Sequence, residues 1–353
     1  MYYKAMGDMT QGRGAGFNPP NRFERLHLEP SDEDQGESRA APTEYFIDNT
    51  RSVLAKNDSP DVPFNYSVNP YRGCEHGCIY CYARPSHEFL GFSAGIDFES
   101  KIVVKPDAPE LLEQAFRGKS WQPQVVALAG NTDPYQPLEK RLRLTRRCLE
   151  VFLKYRNPVG LITKNFLITR DLDLLRELAQ WGLVNVRISI TTLDPHLARV
   201  MEPRASTPAK RLEALETIAR AQIPVGVNAA PIIPGLTDEE LPAILREAAG
   251  RGAKTASYIM VRLPGPVEPL FLDWLNREFP ARAAKVIHRL REIRSGRLSD
   301  SRFGTRMRGE GKMAESIDKL FRLACRKYHL NESVVAFSTD KFIRLGGSQL
   351  TMF

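Results

Sequence analysis

Short apolar runs recur along the chain at 64–69, 125–129, 159–163, 186–191, 225–233 and 256–261. They are rich in Val and Ile and almost unbroken by polar residues, as expected of parallel strands covered on both faces. Between them the apolar positions change to helical spacing. In 138–156, Leu138, Leu142, Thr145, Leu149 and Phe152 share one face and Arg141, Arg143, Arg146 and Arg147 lie off it. Segments 171–181, 208–221 and 237–250 read as helices too, the last opened by a capping box from Thr237 to Glu240. Strand–helix alternation predicts βαβ units and an α/β fold. Six strands instead of eight predict a partial (β/α)6 barrel of the TIM type.

The pattern is absent at both ends. Residues 1–44 combine Gly, Pro and Asn with an acidic run at 31–37 and few large apolar residues, which predicts a disordered tail. The barrel is expected over 45–295. Beyond it, 296–353 reads as an extension, with a Gly- and Arg-rich loop at 299–312, an amphipathic helix at 313–329 and two short strands at 334–337 and 342–345. Six uncovered strands leave two edges, so this extension is expected to cover the open side.

The chain has 353 residues, with no apolar run of the ~18 needed to cross a membrane. Its first residues hold no apolar signal region, and the expectation is a cytoplasmic protein with no membrane partner. The formal charge is +8, and most of it is local: residues 281–312 carry ten Lys/Arg against three acids. Such a stripe is the footprint of a phosphate-bearing partner, with nucleic acid foremost. A solvated helix face is the competing reading. On the first view Arg302, Arg306 and Arg308 meet phosphate and Phe303 stacks on a base.

Three of the five cysteines stand in Gly73-Cys74-Glu75-His76-Gly77-Cys78-Ile79-Tyr80-Cys81-Tyr82, spaced C-x3-C-x2-C. Thiolates select zinc, copper(I) or iron–sulfur clusters. Closed sites of these metals take four ligands, so three thiols leave one position open. Zinc completed by His76 or His87, and a disulfide with a leftover thiol, are the alternatives. Gly73 and Gly77 free the loop to wrap closely. Cys148 and Cys325 fall in predicted helices and read as buried apolar residues.

In parallel α/β barrels the site lies at the C-terminal strand ends. Those ends carry Asn131, Thr132 and Asp133, then Thr163-Lys164-Asn165, Ser189, Thr191 and Asn228. Hydroxyls, amides and one lysine suit a ligand with an ammonium, a carboxylate, a ribose and a base.

The cysteine spacing, with aromatic Tyr80 before the last Cys, resembles the radical S-adenosylmethionine (SAM) superfamily. The stretches Thr50–Leu54, Asn69–Cys74 and Cys81–Pro85 are similar to its DNA-repair-photolyase-like group, related to spore photoproduct lyase. The resemblance implies a [4Fe–4S] cluster on Cys74, Cys78 and Cys81, with SAM on the open iron and Tyr80 against the adenine. It implies SAM contacts from Lys164 and Ser189, with Thr132 and Asp133 in place of a serine–aspartate pair; Asn228, on the fifth strand, joins this set. The implied chemistry is cleavage of SAM to a 5′-deoxyadenosyl radical that takes hydrogen from substrate, and the implied electron donor is a flavodoxin or ferredoxin. Spore photoproduct lyase returns hydrogen from a cysteine at the end of strand two. Here Ala127-Leu128-Ala129-Gly130-Asn131 has none, which leaves Tyr82 or Tyr135 as the hydrogen donor. A nucleic-acid lesion or nucleotide is the leading substrate class. A protein or small-molecule substrate, or a metal-stabilised binding module without turnover, are the other readings.

Overall fold

The computed structural model describes residues 12–23, 41–128, 130–333 and 336–345. Among the described residues ten strands form two sheets. They are β1 (Glu44–Ile47), β2 (Leu54–Lys56), β3 (Tyr66–Val68), β4 (Tyr71–Arg72), β5 (Lys101–Val104), β6 (Val126–Leu128), β7 (Val159–Thr163), β8 (Val184–Ser189), β9 (Val225–Ile232) and β10 (Thr255–Met260). The large sheet runs β10-β9-β8-β7-β6-β3-β2, and β1-β5-β4 form a small one beside it.

From β3 to β10 the large sheet is parallel, with registers such as Tyr66↔Val126, Val126↔Val159 and Ser189↔Asn228. These are the six expected strands. β2 adds antiparallel to β3, and the sheet does not close on itself. Val68, Leu128, Leu161, Ile188 and Val227 are buried in one continuous core with Leu149, Leu178, Leu215 and Leu245 from the helices. That burial is what requires helices on the outer face of a parallel sheet.

The other edge, β10, is covered by the extension. Asn331 mimics a neighbouring strand: its side chain accepts from Ala256 N–H (2.8 Å) and donates to Ala256 C=O (3.0 Å), and its own N–H donates to Lys254 C=O (2.9 Å). Helix Gly311–Lys327 packs Phe321 on Tyr258, with ring centres 4.8 Å apart. Exposed strand edges are usually protected in such ways.

Several local expectations change. The 138–156 helix is two helices, Glu139–Leu142 and Leu144–Tyr155, because Arg143 takes a left-handed backbone and the Glu139 carboxylate accepts from Thr145 N–H (3.0 Å). There is no capping box at Thr237. Its hydroxyl instead accepts from Ile233 N–H, and Glu240 accepts from Thr192 and Leu193. Residues 342–345 form no strand; Phe342 packs near Phe116 and Tyr155, and 334–335 lie outside the described residues. The tail expected to be structureless over 1–44 is divided. Residues 1–11 and 24–40 lie outside the described residues, but Gly12–Phe23 follows a defined path, because Glu99 accepts from the N–H groups of Arg13 (2.6 Å), Gly14 (2.9 Å) and Ala15 (2.8 Å).

Candidate active site

β3 runs through Asn69-Pro70 and β4 into the cysteine loop. Gly73 and Gly77 both have positive φ there. A Cβ on Gly73 would meet His87, Phe98 and Lys101 at 3.0 Å, and one on Gly77 would meet Arg13 at 2.8 Å. Only glycine accepts both the dihedral and the contact. The loop backbone is then held from several sides: Cys74 N–H donates to Phe98 C=O (2.9 Å), Ile79 N–H to Met201 C=O (3.1 Å) and Cys81 N–H to Cys78 C=O (3.2 Å). Fully buried Arg84 donates to Cys78 C=O (2.9 and 3.1 Å), Gly95 C=O (2.9 Å) and the Glu99 carboxylate. This guanidinium fixes the loop as a unit.

The three loop thiols open on one cavity of about 200 Å³. It is also lined by Tyr80, Tyr82, Thr132, Asp133, Lys164, Ser189, Asn228, Met260 and Arg262. Every residue expected to meet the cofactor therefore lines this cavity, most from the C-terminal ends of successive strands, as the barrel rule predicts, and Asn228 from within β9. Burial pushes the Cys74 thiol up to about 12 and Cys78 well above its ordinary range. Thiolates here need a strongly attracting cation. Of the two histidines, His76 also lines this cavity, 3.5 Å from Asp133 and 3.1 Å from Asn165, while His87 is bound to Lys101 C=O (2.9 Å). Among the described residues no three His, Cys, Asp or Glu side chains converge on one ion. The donor set of three soft sulfurs around an open cavity fits a cluster with one iron free.

Asp133 acts through other residues. It accepts from Thr163 Oγ1 (2.6 Å), Lys164 N–H (2.7 Å) and Tyr135 N–H (2.9 Å), tying the loop after β6 to the end of β7. Thr132 donates to Tyr71 C=O (3.1 Å), a second tie to the cysteine loop. Lys164 is placed with Nζ 5.9 Å from the Tyr80 ring centre. Burial works against its charge, but Cys78 and Glu202 outweigh burial and hold it above the ordinary lysine range. Tyr80 donates to Glu202, which also takes Thr191 Oγ1 (2.8 Å) and pairs with buried Arg211. Burial opposes the Glu202 charge, yet Arg211 and Lys164 bring its carboxyl down to about 2. Ser189 lines the cavity with no side-chain hydrogen bond among the described residues, while Asn228 accepts from Ser257.

Some expectations do not survive. Tyr135 is fully buried, does not line the cavity and has no partner for its hydroxyl, so it is not placed to give hydrogen there. Tyr82 does line the cavity, with its hydroxyl donating to Gly130 C=O. Half of the basic stripe is used within the molecule. Arg302 pairs with Asp300 and Glu310, Arg306 with Asp61 and Arg289 with Asp238. Arg294 is buried and donates to Val261 C=O (2.9 Å), and Arg308 lies 3.9 Å from the Tyr258 ring centre. Phe303 remains exposed, with Arg306 stacked 4.4 Å from its centre. Sequence reading missed Glu202, Arg211, Arg84 and Arg262. Arg262 had a signal, since it follows the last predicted strand.

The comparisons with known proteins agree with this geometry. The profile of the radical SAM superfamily matches residues 68–248. An uncharacterised protein of Mycobacterium tuberculosis is 38% identical over 234 residues, covering 66% of this chain and 68% of that protein. One from Methanocaldococcus jannaschii is 32% identical over 176 residues, covering 50% and 63%. Among solved structures, spore photoproduct lyase complexed with dinucleoside spore photoproduct superimposes with a TM-score of 0.57 at 17% identity, covering 83% of this chain and 82% of the other, a likeness of fold. No helix among the described residues is long and apolar enough to cross a membrane. The chain belongs to the radical SAM superfamily, and is an enzyme that uses a [4Fe–4S] cluster and SAM.

Proposed function

We propose that Cys74, Cys78 and Cys81 hold the cluster, that SAM lies across the strand ends, and that the substrate is a nucleic acid or nucleotide. The observation that carries the first two parts is the single cavity shared by the three thiols and by Thr132, Lys164, Ser189 and Asn228. When bound, the reduced cluster supplies the electron that splits SAM into methionine and a 5′-deoxyadenosyl radical, which takes hydrogen from substrate. The protein's own part is to orient and enclose. Lys164 offers a cation to the SAM carboxylate, and the free hydroxyl of Ser189 a donor to a polar group. Tyr80, locked by Glu202 and Thr191, gives the adenine a fixed aromatic surface. Tyr82, half-exposed at the mouth, is the hydrogen donor in place of the missing strand-two cysteine.

The nucleic-acid reading draws on the fold shared with spore photoproduct lyase, solved with a dinucleoside spore photoproduct, and on the exposed Arg282, Lys285, Arg291 and Arg297 of the 281–312 stripe. A flavodoxin or ferredoxin is the proposed source of the electron. The test is anaerobic reconstitution with iron and sulfide. Iron content, the cluster's electron paramagnetic resonance signal and 5′-deoxyadenosine formation are then measured in wild type and in each Cys→Ala variant. A variant that keeps a full four-iron cluster would remove that cysteine from the ligand set.

A further inference from the structure

The cysteine-lined cavity shares part of its wall with a second one, lined by Tyr82, Arg262, Ser299, Asp300, Ser301 and Arg306. Tyr82 and Arg262 belong to both, so Arg262 stands where the two join. Its backbone follows β10, and its guanidinium lies 4.8 Å from the Tyr82 ring centre. The group is half-buried, and burial lowers it from the ordinary arginine range. Taking a charge out of water without a partner is costly, and native proteins normally pair such groups. The neighbouring cations obey this rule: Arg306, Arg302, Arg289 and Arg294 all have carboxylate or carbonyl acceptors. Arg262 has none among the described residues. The nearby carboxylates are already engaged: Asp61 accepts from Arg306 and from Gly304 N–H (2.7 Å), and Asp300, in the same cavity, accepts from Arg302 (3.0 Å) and Thr305 Oγ1 (2.8 Å).

We infer that Arg262 is the anion-binding residue of the substrate site, taking a phosphodiester of the substrate at the junction of the two cavities. The inference rests on the nucleic-acid reading above and deepens it. A guanidinium presents a rigid fork that matches two phosphate oxygens at once. Tyr82 beneath the guanidinium fixes its plane, and the Ser299 and Ser301 hydroxyls lie in the same cavity. Held there, the phosphate brings its attached sugar and base beside Tyr82, the group proposed to return hydrogen.

The test uses the SAM-loaded holoenzyme and two probes, thymidylyl-thymidine and its uncharged methylphosphonate, in isothermal titrations. Wild type should bind the charged probe about 10- to 100-fold more tightly, the range expected of a hydrogen-bonded charge pair. Arg262→Gln should bring the two affinities to within about twofold. Arg262→Lys should keep part of the preference, since it retains the charge and loses the fork. Near-ultraviolet circular dichroism checks that both variants are folded. A preference that persists in Arg262→Gln overturns the inference and leaves the nucleic-acid reading standing. A fall in SAM affinity matching the loss of preference also overturns it, because the anion would then be the SAM carboxylate. If wild type binds neither probe, the nucleic-acid reading falls and this inference with it, while SAM cleavage remains a separate measure of the radical chemistry.

Discussion

Replacing Glu202 by Gln keeps the shape of the side chain and removes one buried charge. In the folded protein the carboxylate receives Tyr80, Thr191 and the Arg211 guanidinium, and the Glu202 and Arg211 side chains are essentially inaccessible. The carboxyl sits at about 2 instead of its ordinary 4.5. At about 1.4 kcal/mol per pH unit, that gap makes the folded state about 3 kcal/mol more stable. Breaking a buried pair from one side costs about 3–5 kcal/mol, so two independent routes agree. The direction with pH follows from the lowered value. The stabilisation is full above about pH 4.5 and is lost as pH falls towards 2. The assay is urea unfolding of the apoprotein at pH 7 and pH 3.5, wild type against Glu202→Gln. The difference should be about 3 kcal/mol at pH 7 and shrink to about 2 kcal/mol at pH 3.5. Glu202→Gln combined with Arg211→Met should recover much of the loss, since it leaves no guanidinium charge stranded. A difference that is absent at pH 7, or that widens on acidification, would refute the reasoning.

Four further outcomes are expected. Lys164→Ala should weaken SAM binding about 10- to 150-fold, the equivalent of losing one charged hydrogen bond, as read by titration of reconstituted protein. Gly77→Ala should lower the iron retained after reconstitution, because the new Cβ meets Arg13 at 2.8 Å in a loop with positive φ; iron content equal to wild type would contradict this. Asn331→Ala should cost about 1–3 kcal/mol and speed hydrogen exchange at Ala256, whose N–H loses its acceptor. Single-stranded DNA binding should weaken with salt, and changing Arg282, Lys285, Arg291 and Arg297 to Ala should flatten that dependence more than changing Arg302 and Arg306, which have carboxylate partners.

The parallel strands were legible because burial on both faces leaves a nearly continuous apolar run, as in Val225–Ile232, which only Asn228 interrupts with a polar side chain. The cysteine loop was legible because its three cysteines fall within eight residues of chain. The small sheet was missed, since β4 has only two residues and carries no periodicity. What sequence could not show is pairing across long separations. Tyr80 and Glu202 are 122 positions apart, and Arg306 and Asp61 are 245. Counting charge within 281–312 therefore overstated the free positive charge, because the neutralising carboxylates include two from other parts of the chain, Asp61 and Asp238. Tyr135 was misjudged for a local reason. It shares a loop with Thr132 and Asp133, but the turn closed by Gln136 N–H on Asp133 C=O (3.2 Å) directs it into the core.

Glu99 joins stretches of chain that are made at different times. Its carboxylate collects the amides of residues 13–15, which leave the ribosome 84 to 86 residues before it does, and it pairs with Arg84, which grips Cys78 C=O. The three cysteines therefore emerge between a cover and the anchor that the cover needs. Until residue 99 has been synthesised, segment 13–15 has nothing to close on. Throughout that interval the cysteine loop is uncovered on this side, so the cover can close only after all three cysteines have been made.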